Sequence, residues 1–250
     1  MGIVITVYPT IFPIVLNGKA HVSFNCCFLQ MYIFHSLIIT ENYLLNIMAY
    51  DRYIAICKAL HYHSIMTLHL SKTLIYLCWI IGFITPLTWV ILGYNLPFCG
   101  PNEIQHLFCD SSPLLDLACT TNDVTVLIDL IISSFTIILT SVSITATYAS
   151  ILVRILKMKI SEDRKKALST CASSLIISVV FYGSAALMYI QLQRSYSPEY
   201  DFATAIHHSF LTPLLSLLVY SFRNKDIKNF LKQLLQPKRV LRESIEREYS

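Results

Sequence analysis

Apolar positions in this chain fall in long blocks separated by short polar stretches. Five blocks reach the length that a helix needs to cross a membrane, about 20 mostly apolar residues. They lie at about 22–48, 73–96, 124–153, 167–193 and 202–222. A shorter apolar run at 3–16 contains two prolines and is too short for a convincing full span. The pattern predicts an all-α membrane protein with five full spans and a partial one.

Composition agrees with the block pattern. Of the 250 residues, 55% are hydrophobic and only 14% are charged, whereas a soluble domain carries about 25% charged residues.

A cleaved signal peptide is the alternative for the run at 3–16. No basic segment precedes that run, however, and no small-residue cleavage site follows it. We therefore interpret the run as the remnant of a helix whose beginning is missing.

Basic residues are distributed unevenly between the loops. Three segments, 52–72, 154–166 and the tail from 223, hold 17 of the 19 lysines and arginines. The long loop at 95–122 holds none. Because cytoplasmic loops are enriched in Lys and Arg, we expect the three basic segments in the cytoplasm and loop 95–122 outside. This asymmetry explains the net charge of +4 and gives no reason to invoke nucleic acid.

Four cysteines fall on the side of the membrane where disulfides persist. Cys27 begins the span at 22–48, and Cys99, Cys109 and Cys119 lie in the loop at 95–122. Four cysteines allow three pairings, which the sequence does not separate. Four free thiols are the alternative. The wide spacings argue against a metal site.

Several motifs occur in a fixed order along the chain. MAYDRYIAICKALHY (48–62) is followed by FCGPNEIQHLFCDSSPLLDLAC (98–119), RKKALSTCASSL (164–175), FYG (181–183) and PLLSLLVYSFRNKDIK (213–228). In this order they resemble vertebrate olfactory receptors, which are rhodopsin-like G-protein-coupled receptors. One DRY-like triplet is a weak signal, whereas this set of motifs in order is a strong one.

The resemblance covers roughly residues 20–235 and implies a seven-transmembrane bundle that lacks the first helix and most of the second. It implies a partial bundle at 1–235 with a short amphipathic helix at about 223–235, and a cytoplasmic tail at 236–250. It also implies disulfides Cys27–Cys109 and Cys99–Cys119. The seventh helix departs from the family, since Ser216 to Tyr220 stands where the family has N-P-x-x-Y.

The implied function is odorant sensing at the plasma membrane. A small-molecule odorant binds in the helix bundle, and the bundle activates a heterotrimeric G protein of the olfactory stimulatory type, without a cofactor or metal. The residues implied in the switch that couples to the G protein are Asp51, Arg52, Tyr53, Tyr148 and Tyr220. The alternative role for Arg52 is that of a plain anchor at the membrane interface.

Helical spacing within the implied bundle gives a list of candidate odorant contacts. Residues at i, i+3, i+4 and i+7 share one helical face, and small-molecule sites are mostly apolar with few polar groups. Core packing is the alternative for every member. The candidates are His35, Ile38, Ile39, Asn42, Thr136, Tyr182, Ala185, Ala186, Tyr189, Ile206 and Ser209.

Other functions are less compatible with the sequence. A transporter or channel predicts inverted repeats or broken helices near the midplane, and neither is present in the pattern. An enzyme is not expected, because the chain has neither an H-E-x-x-H nor a G-x-S-x-G motif. The remaining alternative is a receptor-derived chain that is inactive, either a fragment or a pseudogene product.

Overall fold

The structure, a computed structural model, describes residues 2–99, 103–104, 108–115, 117–119, 123–158, 164, 168, 171–172, 175–176, 178–180 and 182–183. The predicted span at 202–222, the amphipathic helix at 223–235 and the tail at 236–250 lie outside the described residues, as does much of the span at 167–193. The α-helices in the described part of the chain include α1 (Gly2–Asn17), α2 (Phe24–Cys57), α3 (Tyr62–Ile65), α4 (Leu68–Ile84), α5 (Leu87–Tyr94), α6 (Ser111–Leu115) and α7 (Asp123–Lys157).

The short apolar run at the start of the chain forms α1, in spite of Pro9 and Pro13 inside it. Each proline lacks an N–H and so removes one helical hydrogen bond, a loss that membrane helices tolerate. The helix stops at Gly18, whose φ of 73° is open to glycine but rarely to other residues. The Gly18 nitrogen donates to the Ile14 carbonyl at 2.8 Å.

The predicted span at 22–48 forms α2, which begins close to the predicted start and runs past the predicted end. The Ser23 hydroxyl caps α2 by accepting from the Cys26 nitrogen at 3.4 Å. The helix has 34 residues, about 50 Å at 1.5 Å per residue, which exceeds a hydrocarbon core of about 30 Å. The predicted span at 22–48 therefore continues as helix to Cys57, and Asp51 and Arg52 occupy its last two turns.

The predicted span at 73–96 consists of two helices. α4 begins five residues earlier than predicted, where the Thr67 hydroxyl caps it by accepting from the Leu70 nitrogen at 3.2 Å. Thr85 and Pro86 separate it from α5, and the missing N–H of a proline favours such a break. Together the two helices give a stretch of 27 residues, 68–94, that is long and apolar enough to cross a membrane.

α4 packs very closely on α2. A Cβ added at Gly82 would lie 3.0 Å from both the Cβ and the backbone nitrogen of Thr40. Thr40 itself is buried, and its hydroxyl donates to the Ser36 carbonyl at 2.7 Å. The absence of a side chain at position 82 thus allows the two backbones to approach, as small residues do at helix interfaces in membranes.

α7 is the second helix of the described part that could cross a membrane, over residues 124–157. One face of it packs on α2 in a cluster of buried residues that includes Leu45, Ala49, Ile144, Ile151 and Ile155. The rest of the helix leaves large apolar side chains uncovered, as Phe135 shows with 65% exposure. An apolar outer surface of this kind suits a helix that faces lipid.

The loop after α5 is held against the start of α2. Disulfides join Cys27 to Cys109 and Cys99 to Cys119, which are the two pairs that the resemblance implies. Phe28, Met31 and Trp89 form a buried cluster under this loop. We call this end of the bundle the disulfide end and the opposite end, where Asp51 and Arg52 lie, the Arg52 end.

Candidate functional site

Gln30 connects three segments at the disulfide end. Its amide nitrogen donates to the Thr6 carbonyl at 2.8 Å and to the Thr10 hydroxyl at 3.0 Å, both on α1. Its amide oxygen accepts from the backbone nitrogen of Cys109 at 3.2 Å. The sequence reading missed this residue, and its only signal was a polar amide three positions after Cys27 in an apolar helix.

His35 was predicted to contact the odorant, but both of its ring nitrogens already face protein atoms. Nδ1 lies 2.9 Å from the Met31 carbonyl oxygen one turn earlier on α2. Nε2 lies 3.4 Å from a carboxylate oxygen of Asp110, the residue after the disulfide-bonded Cys109. The ring also packs edge-on against Trp89, with centroids 4.6 Å apart. The imidazole therefore bridges α2 and the loop.

A second carboxylate belongs to the same cluster. Asp129 on α7 interacts electrostatically with His35 and Asp110. Its Oδ1 accepts from the Ser133 hydroxyl at 3.2 Å, and Ser111 is a further hydrogen-bond partner. Sequence reasoning did not connect these residues, which are far apart in the chain and meet only in the folded bundle.

Hydrogen-bonding side chains in the middle of the bundle link α2 to Tyr182. The Tyr182 hydroxyl donates to the side-chain oxygen of Asn42, and the Asn46 side chain lies 3.5 Å from that hydroxyl. Thr140 on α7 is a third partner of Tyr182, and its hydroxyl also donates to the Thr136 carbonyl at 2.7 Å. Three predicted odorant contacts, Asn42, Thr136 and Tyr182, thus lie in one connected region.

The remaining predicted contacts divide into two sets. Ile38 and Ile39 on α2 are half-buried, and Ile38 packs against the core clusters on both sides of it. The other five lie outside the described residues and are Ala185, Ala186, Tyr189, Ile206 and Ser209.

At the Arg52 end, Asp51 has two partners. Its Oδ2 lies 3.4 Å from Nη2 of Arg52, and its Oδ1 accepts a hydrogen bond from the Tyr62 hydroxyl at 2.8 Å. This hydrogen bond raises the pKa of Tyr62, with burial and the negative charge of Asp51 adding to the effect. Because the Arg52 side chain is 42% exposed, it remains accessible to another molecule.

The other predicted switch residues differ in placement. Tyr148 on α7 is buried in the cluster between α2 and α7, and Tyr53 packs against that cluster from α2. Tyr220 lies outside the described residues. Two of the three tyrosines therefore belong to the core that supports the last turns of α2.

A cavity of about 420 Å³ lies between α7 and the described part of 168–182. Tyr148 and Tyr182 both line it, together with mostly apolar side chains such as Ile144, Leu152 and Leu175. It is not the predicted odorant pocket, since His35, Ile38, Ile39, Asn42 and Thr136 are absent from its lining.

Comparison with known proteins decides between the classes that the sequence left open. A family model described as Olfactory receptor matches residues 1–238. The chain belongs to the olfactory receptor family. It is 44% identical to olfactory receptor 6N1 of Homo sapiens over 236 residues, which are 94% of this chain and 76% of that protein. It is 42% identical to olfactory receptor 6K3 of Homo sapiens over 226 residues, 90% of this chain and 68% of that protein. Against olfactory receptor 1M1 of Mus musculus it is 39% identical over 217 residues, 87% of this chain and 69% of that protein.

Family membership establishes the general function. Olfactory receptors are odorant-sensing G-protein-coupled receptors with a seven-transmembrane bundle, and they are multi-pass proteins of the plasma membrane. The chain is therefore a receptor for small-molecule odorants that couples to a G protein, and it is not an enzyme. The alternatives of a transporter, a channel or an inactive fragment are not favoured by these similarities.

Proposed function

We propose that the odorant binds in the half of the bundle nearer the disulfide end, among the face of α2 from His35 to Asn42, Thr136 on α7 and Tyr182. The single observation that carries this proposal is the hydrogen bond from Tyr182 to Asn42. It puts a polar, directional group among apolar side chains at mid-depth, which is the composition typical of small-molecule sites. The predicted contacts Ala185, Ala186, Tyr189, Ile206 and Ser209 complete the proposed site.

The proposed switch is the Arg52 end, with Asp51, Arg52, Tyr53, Tyr148 and Tyr220 as its residues. Two features support it. The Arg52 guanidinium is half exposed beside Asp51, and Tyr148 belongs to the α2–α7 core and also lines the cavity that reaches Tyr182. A rearrangement around Tyr182 thus has a contiguous set of packed side chains leading to the Arg52 end. The partner is a G protein of the stimulatory type, which acts on adenylyl cyclase.

The orientation follows from charge. The Arg52 end carries Arg52, Lys58, Lys72, Arg154 and Lys157, and cytoplasmic ends are enriched in such residues. In this orientation loop 95–122 with its two disulfides is extracellular, where disulfides persist, and the C-terminus is cytoplasmic.

A cAMP reporter assay with an odorant panel tests the proposed site, in cells with and without the stimulatory Gα subunit. Asn42→Ala is expected to weaken the response to an activating odorant. Val142→Ala is the control, since Val142 is 63% exposed on the outer face of α7. An unchanged odorant response of Asn42→Ala at equal surface expression would contradict the site. A response that persists without stimulatory Gα would contradict the G-protein type.

A further inference from the structure

The cavity between α7 and the described part of 168–182 has a buried floor and an exposed rim. Its volume of about 420 Å³ lies in the range of small-molecule sites, about 300–1,000 Å³. Buried side chains of α7 such as Tyr148 and Ile155 form the floor, whereas Leu152 and Leu168 on the rim are each 50% exposed. Because α7 is apolar and long enough to cross a membrane, the rim opens toward lipid.

The lining suits a hydrocarbon group. No charged side chain of the described part of the chain belongs to it. Its polar side chains carry hydroxyl groups, as Ser141, Thr145 and Ser178 do, and the hydroxyl of Tyr182 donates to Asn42. A bound water needs about two to four polar partners, whereas a hydrocarbon chain needs none. The cavity is therefore a better site for an apolar group than for a row of waters.

The cavity is elongated along the helix axis. Its lining on α7 extends from Ser141 to Ile155, a rise of about 21 Å at 1.5 Å per residue. One leaflet contributes about 15 Å to a hydrocarbon core of about 30 Å. The cavity thus begins near the Arg52 end and reaches through the depth of one leaflet, which is the path that an acyl chain of that leaflet follows.

Basic residues gather where the cavity ends. Segment 154–166 contains six lysines and arginines against two acids. Arg154 and Lys157 are exposed in the last turn of α7. Arg164 and Leu168 are both helical and four residues apart, a spacing that puts two side chains on the same helical face. Clusters of about four to eight basic residues beside a membrane helix attract anionic lipid headgroups.

We propose that this cavity binds one acyl chain of an anionic phospholipid, whose headgroup lies against the basic residues of 154–166, with Arg164 nearest the chain. In the proposed orientation this lipid belongs to the cytoplasmic leaflet, and only the choice of leaflet rests on that orientation. The site shares Tyr182 with the proposed odorant site. It includes neither the α2 residues of that site nor Thr136, so it is a separate site for a different ligand.

Photo-crosslinking locates the lipid directly. The full chain is reconstituted in phosphatidylcholine discs with a trace of phosphatidylserine that carries a photoreactive group on its acyl chain, and labelled peptides are identified by mass spectrometry. Phosphatidylcholine with the same acyl chain and a photoreactive sterol are used in parallel. Peptides from 141–155 and 168–182 are expected to be labelled about fivefold more by phosphatidylserine than by phosphatidylcholine, the preference that one basic side chain supplies. Labelling by the sterol is expected to be weaker than by phosphatidylserine.

A matched pair of alanines tests the cavity itself. Ala149 lines it, and Ala149→Phe is expected to remove most of the phosphatidylserine labelling by filling the space. Ala146→Phe is the control, since Ala146 is exposed one turn earlier on α7 and is absent from the lining. It is expected to be labelled as the wild type. Thermal midpoints of the purified variants establish that both are folded.

A second pair tests the headgroup and leaves the cavity intact. Arg164→Gln is expected to lower phosphatidylserine labelling about fivefold without changing phosphatidylcholine labelling. Lys72→Gln is the control, because Lys72 is an exposed basic residue of α4 at the Arg52 end, and it is expected to have no effect. This pair decides the proposal if Ala149→Phe does not fold.

Three results would overturn the proposal. Equal labelling by phosphatidylserine and phosphatidylcholine in the wild type would exclude a site for an anionic headgroup. Stronger labelling by the sterol would assign the cavity to a sterol. Unchanged labelling in a folded Ala149→Phe variant would show that the lipid contacts the outer surface of α7 and does not enter the cavity.

Discussion

The backbone nitrogen of Cys109 donates a hydrogen bond to the side-chain oxygen of Gln30 at 3.2 Å. The same side chain donates to α1 through its nitrogen, so one amide satisfies polar groups of two other segments. The Cys109 nitrogen is buried, and a buried N–H without a partner is costly. The contact therefore supports the disulfide end beyond what the disulfide itself supplies.

Replacing Gln30 by leucine is expected to destabilise the receptor. The substitution leaves the buried Cys109 nitrogen unsatisfied, which costs about 1–3 kcal/mol. The measurement is the thermal midpoint of the purified receptor in detergent. Asn25→Ala serves as the control, because it removes a hydrogen bond between two exposed groups, Tyr94 and Asn25, and is expected to change the midpoint little. A Gln30→Leu midpoint equal to that of the control would show that Gln30 is dispensable.

The contact between α2 and α4 predicts different results for two glycines. Gly82→Ala forces a Cβ into the Thr40 hydroxyl and to 3.0 Å from the Thr40 Cβ and backbone nitrogen, and it is expected to cost about 1–3 kcal/mol through overpacking. Gly93→Ala meets its nearest atom, on Phe28, at 3.7 Å, an ordinary contact, and is expected to be neutral or to stabilise α5 by about 0.5–1 kcal/mol. Thermal unfolding of the two variants compares them directly. Equal midpoints would argue against the close approach of α4 to α2.

The disulfides are expected to contribute unequally. Cys27–Cys109 closes a sequence separation of 82 residues and Cys99–Cys119 one of 20. In the chain-entropy description, loops of these sizes correspond to about 4–5 and about 3 kcal/mol. The double variant Cys27→Ser with Cys109→Ser is thus expected to lose more stability and surface expression than Cys99→Ser with Cys119→Ser. Cys26→Ser controls for loss of a thiol, since Cys26 is exposed and free. A larger loss from the second pair would contradict the ranking.

The pattern of apolar blocks predicted the helices better than their polar contacts. Block length anticipated α1 and α7, and the break at Pro86 is the main departure among the described spans. Periodicity also indicated which face of α2 carries His35 and Asn42. It could not show what covers that face. Asp110 meets His35 only because a disulfide brings the loop to α2, and such a meeting depends on how the loop and the helix are placed in the folded bundle.

The same limit explains why Gln30 was missed while Arg52 was found. Arg52 stands in a motif whose neighbours are adjacent in sequence, and its partner Asp51 is the preceding residue. The partners of Gln30 are at positions 6, 10 and 109. A buried amide in an apolar helix indicates that partners exist, but the pattern of one chain does not identify them.

The mid-bundle hydrogen bond gives a prediction for Tyr182. Tyr182→Phe removes the hydroxyl that reaches Asn42, and hydrogen bonds between membrane helices contribute about 0.6 kcal/mol on average, with a maximum of about 1.7. A loss of stability in this range is expected. Tyr76→Phe is the control, because Tyr76 is 67% exposed on α4. The double variant with Asn42→Ala is expected to lose less than the two single losses combined, since each removes the same contact. Additive losses would indicate that the two side chains do not interact.

The accessibility of Arg52 predicts a separation of binding from signalling. Arg52→Ala is expected to lower the cAMP response by about tenfold or more, because losing a charge-assisted contact costs about 1.5–3 kcal/mol. Odorant binding is expected to be retained, since Arg52 lies in the last turns of α2, far along the helix from His35 and Asn42. Lys58→Ala is the control, because Lys58 is an exposed basic residue directly after the same helix and is expected to signal nearly as the wild type. Measuring odorant binding and cAMP on the same membranes tests both parts. Equal losses in the two variants would indicate a general effect of positive charge at this end, and loss of binding in Arg52→Ala would indicate that the arginine supports the fold of the bundle.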